Sequence, residues 1–294
     1  MPVRYEVESH IATITIDRPE AFNSIDLETW AAFSEATGRL EGDDDAWVGI
    51  VTGAGDRVFS AGADLRSTIP RMLDDPNNNP YDAPPTIMRG QTVTKPLIAA
   101  INGLALGGGL EIVLACDLRV AAEKARLGAP EVTLGIIPGW GATQRLPRQL
   151  PWAVAARILL TGQPLSAQEA LQVGLVNAVV PAEELMAEAR GLAETLLKCG
   201  PLALRAAKRA MVEGCDLPLD EGLALEERLF NSLAYTEDIR EGLAAFSEKR
   251  PPQFKAKLPT RLLRKRPSTG SGRAVLSVHV PPFVVSLPTG RQAC

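Results

Sequence analysis

The feature that most constrains the fold of this chain is a change in its hydrophobic pattern near residue 180. Residues 3–7 and 12–16 alternate apolar with polar side chains on either side of a polar break, which predicts a β-hairpin with one buried face. Residues 97–101 form a continuous apolar run that is typical of a buried strand. Beyond residue 180 the pattern is helical. We therefore predict an α/β portion over residues 1–180, followed by an all-helical region over residues 181–256.

Helix-start signals support this division. Asp26 stands where it can cap a helix, and Pro201 stands at the first position of a later one. The residues predicted to share the apolar face of the helix after Asp26 are Leu27, Trp30, Phe33, Thr37 and Leu40.

The composition changes again at about residue 257. Residues 257–294 contain seven Lys and Arg, no Asp or Glu, and five Pro, so we predict a disordered basic tail. An alternative is a basic arm that contacts RNA or another anionic surface. The remaining residues 1–256 carry 24 basic and 35 acidic side chains, which argues against nucleic-acid binding by the body of the protein.

The scarcity of histidine excludes several classes of chemistry. The chain has only His10 and His279, and neither accompanies a plausible Ser or Cys nucleophile or a zinc-ligand cluster. The four cysteines form no C-x-x-C pair and are typical of free thiols in a reducing compartment. We therefore predict no metal site, and expect any chemistry to use carboxylates or backbone amides.

No segment has the pattern of a targeting sequence or a membrane span. The longest weakly charged run, residues 96–110, is 15 residues long and contains four glycines and Asn102. A transmembrane helix needs about 20 apolar residues. The expectation is a cytoplasmic protein.

A run of three glycines stands immediately before an apolar helical pattern. Gly107, Gly108 and Gly109 cost backbone entropy, so we expect another group to approach this backbone closely. A helix N-terminus also offers free N–H groups and a positive dipole end, which stabilise developing negative charge. The alternative is that the glycines only permit tight packing of a helix on a strand.

Two glutamates are the candidate acid and base. Glu111 is in the first turn of the helix that follows the glycines, and Glu131 follows Pro130. Either carboxylate can be explained structurally, Glu111 by the helix dipole and Glu131 by capping. If they lie together, one pKa rises, so that one carboxyl donates a proton while the other accepts one.

Several segments resemble the enoyl-CoA hydratase (crotonase) family, in order and at the family's spacing. By itself, the first of these segments is also typical of a strand-to-helix turn. The segments are Phe59–Asp64, Lys95–Gly103, Leu106–Glu111, Pro130–Gly139, Thr143–Leu146 and Thr161–Gly162, and the resemblance extends from about Val3 to Phe254.

The resemblance implies an α/β fold, a crotonase-like spiral of ββα units followed by a C-terminal helical trimerisation region. It implies assembly as a homotrimer or as a hexamer made of two trimers. It also implies an acyl-CoA thioester as substrate, with no separate cofactor and with no membrane or nucleic-acid partner.

Site residues follow from the same resemblance. The backbone N–H groups of Ala63 and Gly108 would form the oxyanion hole for the thioester carbonyl. Ala61, Asp64 and Leu65 would line the coenzyme A site. Arg57 is a weaker candidate for a phosphate contact, and the simpler interpretation is an exposed side chain.

The reaction implied is hydration of a trans-2-enoyl-CoA to a 3-hydroxyacyl-CoA, in fatty acid β-oxidation. Glu111 would deprotonate the water that attacks the β-carbon, and Glu131 would give a proton to the α-carbon. The alternatives are another reaction of the family, such as enoyl-CoA isomerisation, and a non-catalytic RNA-associated protein on the same fold.

Two features bear on acyl-chain preference. Trp140 places an indole near the expected acyl site, where it either shapes the acyl pocket or fills core. Residues 66–90 contain five prolines and predict a long surface loop, which is where members of this family vary in acyl preference.

Overall fold

The structure is a computed structural model that describes residues 1–68 and 83–257. Most of the predicted tail, and residues 69–82 of the predicted loop, lie outside the described residues. The chain divides into two compact units, Met1–Cys199 and Gly200–Cys294.

The first unit contains a six-stranded sheet. Its strands, in spatial order, are β1 (Val3–Glu8), β2 (Ile11–Ile16), β3 (Val48–Gly53), β5 (Leu97–Ile101), β7 (Leu118–Ala122) and β10 (Ala178–Val180). Strands β1 and β2 form the predicted antiparallel hairpin, with Val3 opposite Ile16. The remaining neighbours pair in parallel. Every residue of β3 and β5 is buried, as expected for parallel strands covered on both faces.

A second, four-stranded sheet receives the strands that follow. Its order is β4 (Val58–Ser60), β6 (Leu104–Leu106), β8 (Arg126–Gly128) and β9 (Leu165–Ser166). Three times the chain places one strand in the six-stranded sheet and the next strand in the four-stranded sheet: β3 then β4, β5 then β6, and β7 then β8. This stepping is the spiral of ββα units, and it confirms the predicted fold class.

Six helices are described in the first unit. They are α1 (Leu27–Gly42), α2 (Gly108–Ala115), α3 (Ala142–Gln149), α4 (Trp152–Thr161), α5 (Ala167–Gln172) and α6 (Leu185–Leu197). The predicted cap is confirmed, because the Asp26 carboxylate accepts a hydrogen bond from the Thr29 N–H at 2.8 Å. Four of the five predicted apolar positions of α1 are buried, but Leu27 is 44% exposed. Leu27 lies instead at a cavity that is described below.

The core of the first unit has two parts. The larger cluster includes Phe33, Phe59, Ile14 and Leu110. The smaller cluster joins the six-stranded sheet to α6, through side chains such as Ile50 and Ala189.

That second cluster explains where the first unit ends. The sequence assigns residues 185–197 to the helical region, whereas in the structure α6 packs on the strands and belongs to the first unit. An amphipathic helix is grouped by what its apolar face covers, and periodicity alone does not identify that partner.

The second unit contains three described helices, α7 (Pro201–Gly214), α8 (Leu219–Leu233) and α9 (Glu237–Glu248). Pro201 occupies the first turn of α7 as predicted. Ala206, Leu225 and Leu229 form a small buried cluster between α7 and α8. Within the described residues, no helix is both long enough and apolar enough to cross a membrane.

Candidate active site

A cavity of about 600 Å³ lies in the first unit. It includes the helix start at Gly108, both candidate glutamates and a largely apolar wall. Its lining comprises Ile25, Asp26, Leu27, Trp30, Ala61, Ala63, Leu65, Thr68, Ala83, Gly107, Gly108, Glu111, Pro130, Glu131, Leu134, Gly135, Ile136, Ile137, Gly139 and Trp140.

Each glycine of the triplet makes room for a different neighbour. A Cβ at Gly107 would lie 2.9 Å from Glu131 Oε1. A Cβ at Gly108 would collide with the six-membered ring of Trp140, and one at Gly109 with the carbonyl of Ser60. The expected close approach is therefore present at all three positions, and two of the three neighbours belong to the cavity wall.

Glu111 is held rigidly in the wall of the cavity. Its side chain is on α2, and the residue is 1% exposed. One carboxylate oxygen, Oε1, accepts hydrogen bonds from the N–H groups of Trp140 at 2.7 Å and Ala142 at 2.9 Å. Burial, together with the charge of Glu131, raises the pKa of Glu111 to about 7, although the two N–H donors and Arg145 oppose that rise. Such a carboxyl can gain or lose a proton near neutral pH.

Glu131 is held differently. It lies in the first turn of a 3-10 helix, Pro130–Leu134, and is partly buried. Its Oε2 atom is buried and has no hydrogen-bond partner among the described residues. Burial raises the pKa of Glu131 above its ordinary value. A carboxyl group with an unpaired buried oxygen in a cavity is suited to hold a proton or to bind a water molecule.

The two residues predicted to supply oxyanion N–H groups, Ala63 and Gly108, both line the cavity. The bridge between Ile25 and Ala63 uses the carbonyl of Gly62 and the N–H of Asp64, so the N–H of Ala63 points to the opposite side of the strand. Gly108 is the first residue of α2, and its N–H therefore has no acceptor within the helix. A Cβ at Gly62, where φ is +87°, would lie 2.7 Å from the Gly108 nitrogen. Glycine at position 62 thus allows the turn that carries Ala63 to approach Gly108.

Arg145 supports the Glu111 side of the cavity. Its guanidinium donates to the carbonyl of Trp140 at 3.1 Å and to that of Met88 at 2.8 Å. It therefore holds the residue whose N–H binds Glu111. Burial lowers the pKa of Arg145, and the charge of Glu111 opposes that shift.

Two tryptophans form an aromatic corner of the cavity. The rings of Trp30 and Trp140 meet edge to face, with centroids 4.7 Å apart and planes at 62°. The indole N–H of Trp30 donates to the carbonyl of Pro84 at 2.6 Å, which fixes that ring. Trp140 lines the cavity and also packs against the larger core cluster, so the structure combines the two interpretations offered for it.

The residues expected at the coenzyme A site differ in their surroundings. Ala61 and Leu65 line the cavity, but Asp64 does not. The Asp64 carboxylate instead lies 3.5 Å from the guanidinium of Arg18 and accepts a hydrogen bond from the Ser24 hydroxyl at 3.4 Å. Arg57 is exposed and is not part of the cavity wall, in agreement with its simpler interpretation.

Sequence reasoning missed Trp30 and Arg145 as site residues. Trp30 was assigned to the core face of α1, and periodicity cannot distinguish a side chain that fills core from one that walls a cavity. Arg145 stood in a recognised segment without a role. No local pattern indicates its place near Glu111, because the two residues are on separate helices that only the fold brings together.

Within residues 1–68 and 83–257, no group of three or more His, Cys, Asp or Glu side chains is placed to hold a metal ion.

Comparison with known proteins identifies the family of this chain. The family model described as "Enoyl-CoA hydratase/isomerase" matches residues 6–257. The chain therefore belongs to the enoyl-CoA hydratase/isomerase family.

Individual relatives are similar over nearly their whole length. The (E)-benzylidenesuccinyl-CoA hydratase of Thauera aromatica is 44% identical over 87% of this chain and 99% of its own. The 2,3-dehydroadipyl-CoA hydratase of Escherichia coli is 41% identical over 85% of this chain and 97% of its own. A crystal structure of enoyl-CoA hydratase from Bacillus anthracis superposes with a TM-score of 0.79 at 38% identity, covering 87% of this chain and all of the other. Similarity to several hydratases over most of the chain supports a hydratase, which is a carbon–oxygen lyase.

Proposed function

We propose that this enzyme adds water reversibly to a trans-2-enoyl-CoA, giving the 3-hydroxyacyl-CoA. The observation that carries the proposal is the pair of buried glutamates, Glu111 and Glu131, both with raised pKa values, at one cavity. Addition of water to a conjugated thioester needs a base for the water and an acid for the α-carbon. A buried carboxyl with a pKa of about 7, at the same cavity as a second carboxyl whose pKa is also raised, is suited to supply both.

The thioester carbonyl is assigned to the N–H groups of Ala63 and Gly108. As hydroxide adds to the β-carbon, negative charge moves onto this oxygen and forms an enolate. Two preorganised N–H donors stabilise that charge more than they stabilise the neutral carbonyl, which lowers the barrier. The N-terminal end of α2, which begins at Gly108, adds the positive end of the helix dipole.

Glu111 is assigned as the base and Glu131 as the acid. The hydrogen bonds that Glu111 receives from the Trp140 and Ala142 N–H groups favour its ionised form. Glu131 has an oxygen without such a donor, and a protonated carboxyl suits that environment better. Glu111 takes one proton from water while the remaining hydroxide bonds to the β-carbon. Glu131 gives its proton to the α-carbon, and the pair regains its starting protonation when a proton passes from Glu111 to Glu131.

The remaining expectations extend this proposal to binding, assembly and cellular role. Coenzyme A belongs to the substrate, lies along Ala61 and Leu65 with Asp64 beside them, and no other cofactor takes part. We propose a homotrimer or a hexamer of two trimers, and a cytoplasmic role in acyl-CoA degradation by β-oxidation.

The test is a spectrophotometric assay of the purified protein with crotonyl-CoA. Absorbance of the conjugated thioester should fall with wild type and remain constant with Glu111→Gln. A folded wild type that leaves crotonyl-CoA and longer trans-2-enoyl-CoAs unchanged, but converts a 3-enoyl-CoA, would replace hydration by isomerisation.

A further inference from the structure

We propose that the cavity selects enoyl-CoA thioesters whose β-carbon carries an uncharged aromatic ring, with Trp30 and Trp140 as the recognition surface. This inference rests on the proposed function, because the position of the acyl group follows from the oxyanion hole. It names a substrate class within that function.

The position of the Trp140 ring is the first step. A Cβ at Gly108 would fall on the six-membered ring of Trp140, so this ring lies against the backbone whose N–H is assigned to the thioester oxygen. The backbone N–H of Trp140 also donates a hydrogen bond to the Glu111 carboxylate at 2.7 Å. One residue therefore contacts both the carbonyl end and the base. The β-carbon is two bonds from the carbonyl carbon. A substituent on the β-carbon therefore extends from the reaction centre past this indole.

Trp30 provides the second aromatic surface. It is 7% exposed, its N–H is bonded to Pro84, and its ring meets Trp140 edge to face at 4.7 Å. The two indoles pack against each other at 62°, and both line the cavity, so they form one aromatic part of its wall. An aromatic ring packs against such a wall more favourably than a flexible chain does, because ring edges carry positive and ring faces negative partial charge.

Charge defines the rest of the class. Among the described residues that line the cavity, the ionisable side chains are Asp26, Glu111 and Glu131, and none is Lys or Arg. Asp26 is already engaged by Arg18 at 3.0 Å and by Thr29. Among the described lining residues, a second carboxylate on the acyl group would meet acids and aliphatic side chains, and no Lys or Arg of that set offsets its desolvation cost.

The proposed preference for an uncharged acyl group distinguishes this chain from two of its relatives. The names of the Thauera and Escherichia relatives specify acyl groups that bear a second carboxylate, namely benzylidenesuccinyl and 2,3-dehydroadipyl. The cavity described here matches the aromatic part of the first of these groups and not its additional acid.

The experiment measures binding without chemistry, because conjugation with a phenyl ring slows hydration intrinsically. Two saturated nine-carbon thioesters, 3-phenylpropionyl-CoA and nonanoyl-CoA, are titrated calorimetrically into wild type, Trp30→Leu, Trp140→Leu and Trp140→Phe. Trp152→Leu is the matched control, since Trp152 is 77% exposed and outside the cavity wall. Crotonyl-CoA turnover, measured in parallel, tests the proposed function separately.

We expect wild type to bind the phenyl thioester about three- to tenfold more tightly than the nonanoyl thioester, the range of a favourable aromatic contact. Either Leu variant should abolish that ratio, whereas Trp140→Phe and Trp152→Leu should keep it. Equal affinities in wild type, or equal losses for both thioesters in the Leu variants, would overturn the aromatic assignment even if crotonyl-CoA is hydrated. Tighter binding of benzylsuccinyl-CoA than of 3-phenylpropionyl-CoA would overturn the uncharged assignment.

Discussion

The two glutamates that line the cavity, Glu111 and Glu131, have different surroundings. Glu111 lies in a regular helix, is 1% exposed, and gives one oxygen to two backbone N–H donors. Glu131 lies in a single 3-10 turn whose neighbours Leu134 and Ile137 are 58% and 70% exposed, and its Oε2 has no partner among the described residues. One carboxylate is positioned by the scaffold, and the other is left available to the contents of the cavity.

In the proposed mechanism, this difference is the reason for giving the two glutamates different roles, one as base and the other as acid. A base that directs a water molecule must keep its orientation while charge moves, so fixed donors on its second oxygen are useful. An acid that alternates between protonated and ionised states benefits from an oxygen with no fixed donor. The predictions that follow aim to break or sharpen this comparison, from the largest expected effect to the smallest.

Removing either carboxyl should remove most of the turnover. Glu111→Gln and Glu131→Gln are each expected to lower kcat with crotonyl-CoA by about 10²–10⁴, the usual contribution of a general acid or base. KM should change little, because neither acid is assigned to thioester binding. Steady-state kinetics with both variants measures the two effects.

The equivalent change at a neighbouring acid provides the control. Asp64→Asn alters a carboxylate that is paired with Arg18 outside the cavity wall, and it should affect KM more than kcat. Turnover within about threefold of wild type in Glu111→Gln or Glu131→Gln would remove that residue from the proposed chemistry.

A methyl group at Gly108 should be nearly as damaging. Gly108→Ala forces the Trp140 ring away from the backbone, and the displaced indole no longer positions the N–H that binds Glu111. We expect kcat to fall by about 10²–10³, similar to the loss of one oxyanion donor.

Gly191→Ala is the matched control for that variant, because a Cβ at this helical position meets nothing within 4 Å. It should be fully active and slightly more stable, since alanine favours the helix. A folded Gly108→Ala with normal kcat would contradict the assignment of this backbone to the reaction centre.

Replacing Arg145 tests the electrostatic support of Glu111. The Arg145 charge lowers the pKa of Glu111, so Arg145→Met should raise that pKa further. A base works only when ionised, and the acidic limb of the pH–rate profile should therefore move to higher pH. At pH 7 we expect a loss of about fivefold, because a rise in the pKa from about 7 by about one unit lowers the ionised fraction of Glu111 from about one half to about one tenth.

Two further variants separate the charge of Arg145 from its structural role. Arg145→Lys should restore the position of the limb, and Arg148→Met, which changes an exposed arginine of the same helix, should leave it unchanged. A lower kcat with an unshifted limb in Arg145→Met would show that Arg145 acts through folding alone.

The last prediction concerns stability and not turnover. The pKa of Glu111 rises on folding from its ordinary value of 4.5 to about 7, so the folded state binds the proton more tightly and the free energy of unfolding falls as pH rises between these values. Glu111→Gln removes that dependence. Urea unfolding should show the variant about 2 to 3 kcal/mol more stable than wild type at pH 8, with little difference at pH 4. Equal stability at pH 8 would indicate an unperturbed carboxyl.

Much of the fold could be predicted because it is specified locally. The alternation in residues 3–16 predicted the hairpin. The Asp26 cap and the start of α2 at the glycine triplet could also be predicted from neighbouring residues. The end of the first unit could not be predicted in this way, because α6 belongs with the strands that its apolar face covers. One of these strands, β3, lies more than a hundred residues earlier in the sequence.

The site divides in the same way. The triplet predicted a close approach, but only the structure identifies the neighbours as Glu131, Trp140 and Ser60. The pairing of Glu111 with Glu131 was an expectation from the family resemblance, because residues 111 and 131 are on separate elements. Trp30 contributes from a third element, and nothing in its local pattern distinguishes it from Phe33, which is fully buried.

The most direct test of the account is the pH dependence of kcat/KM for crotonyl-CoA in wild type between pH 5 and pH 9. The unequal surroundings of the two glutamates predict an acidic limb with a midpoint near pH 7, caused by protonation of Glu111. A profile that is flat from pH 5 to pH 8 would contradict it, because a carboxyl of ordinary pKa would then be doing the work of the base.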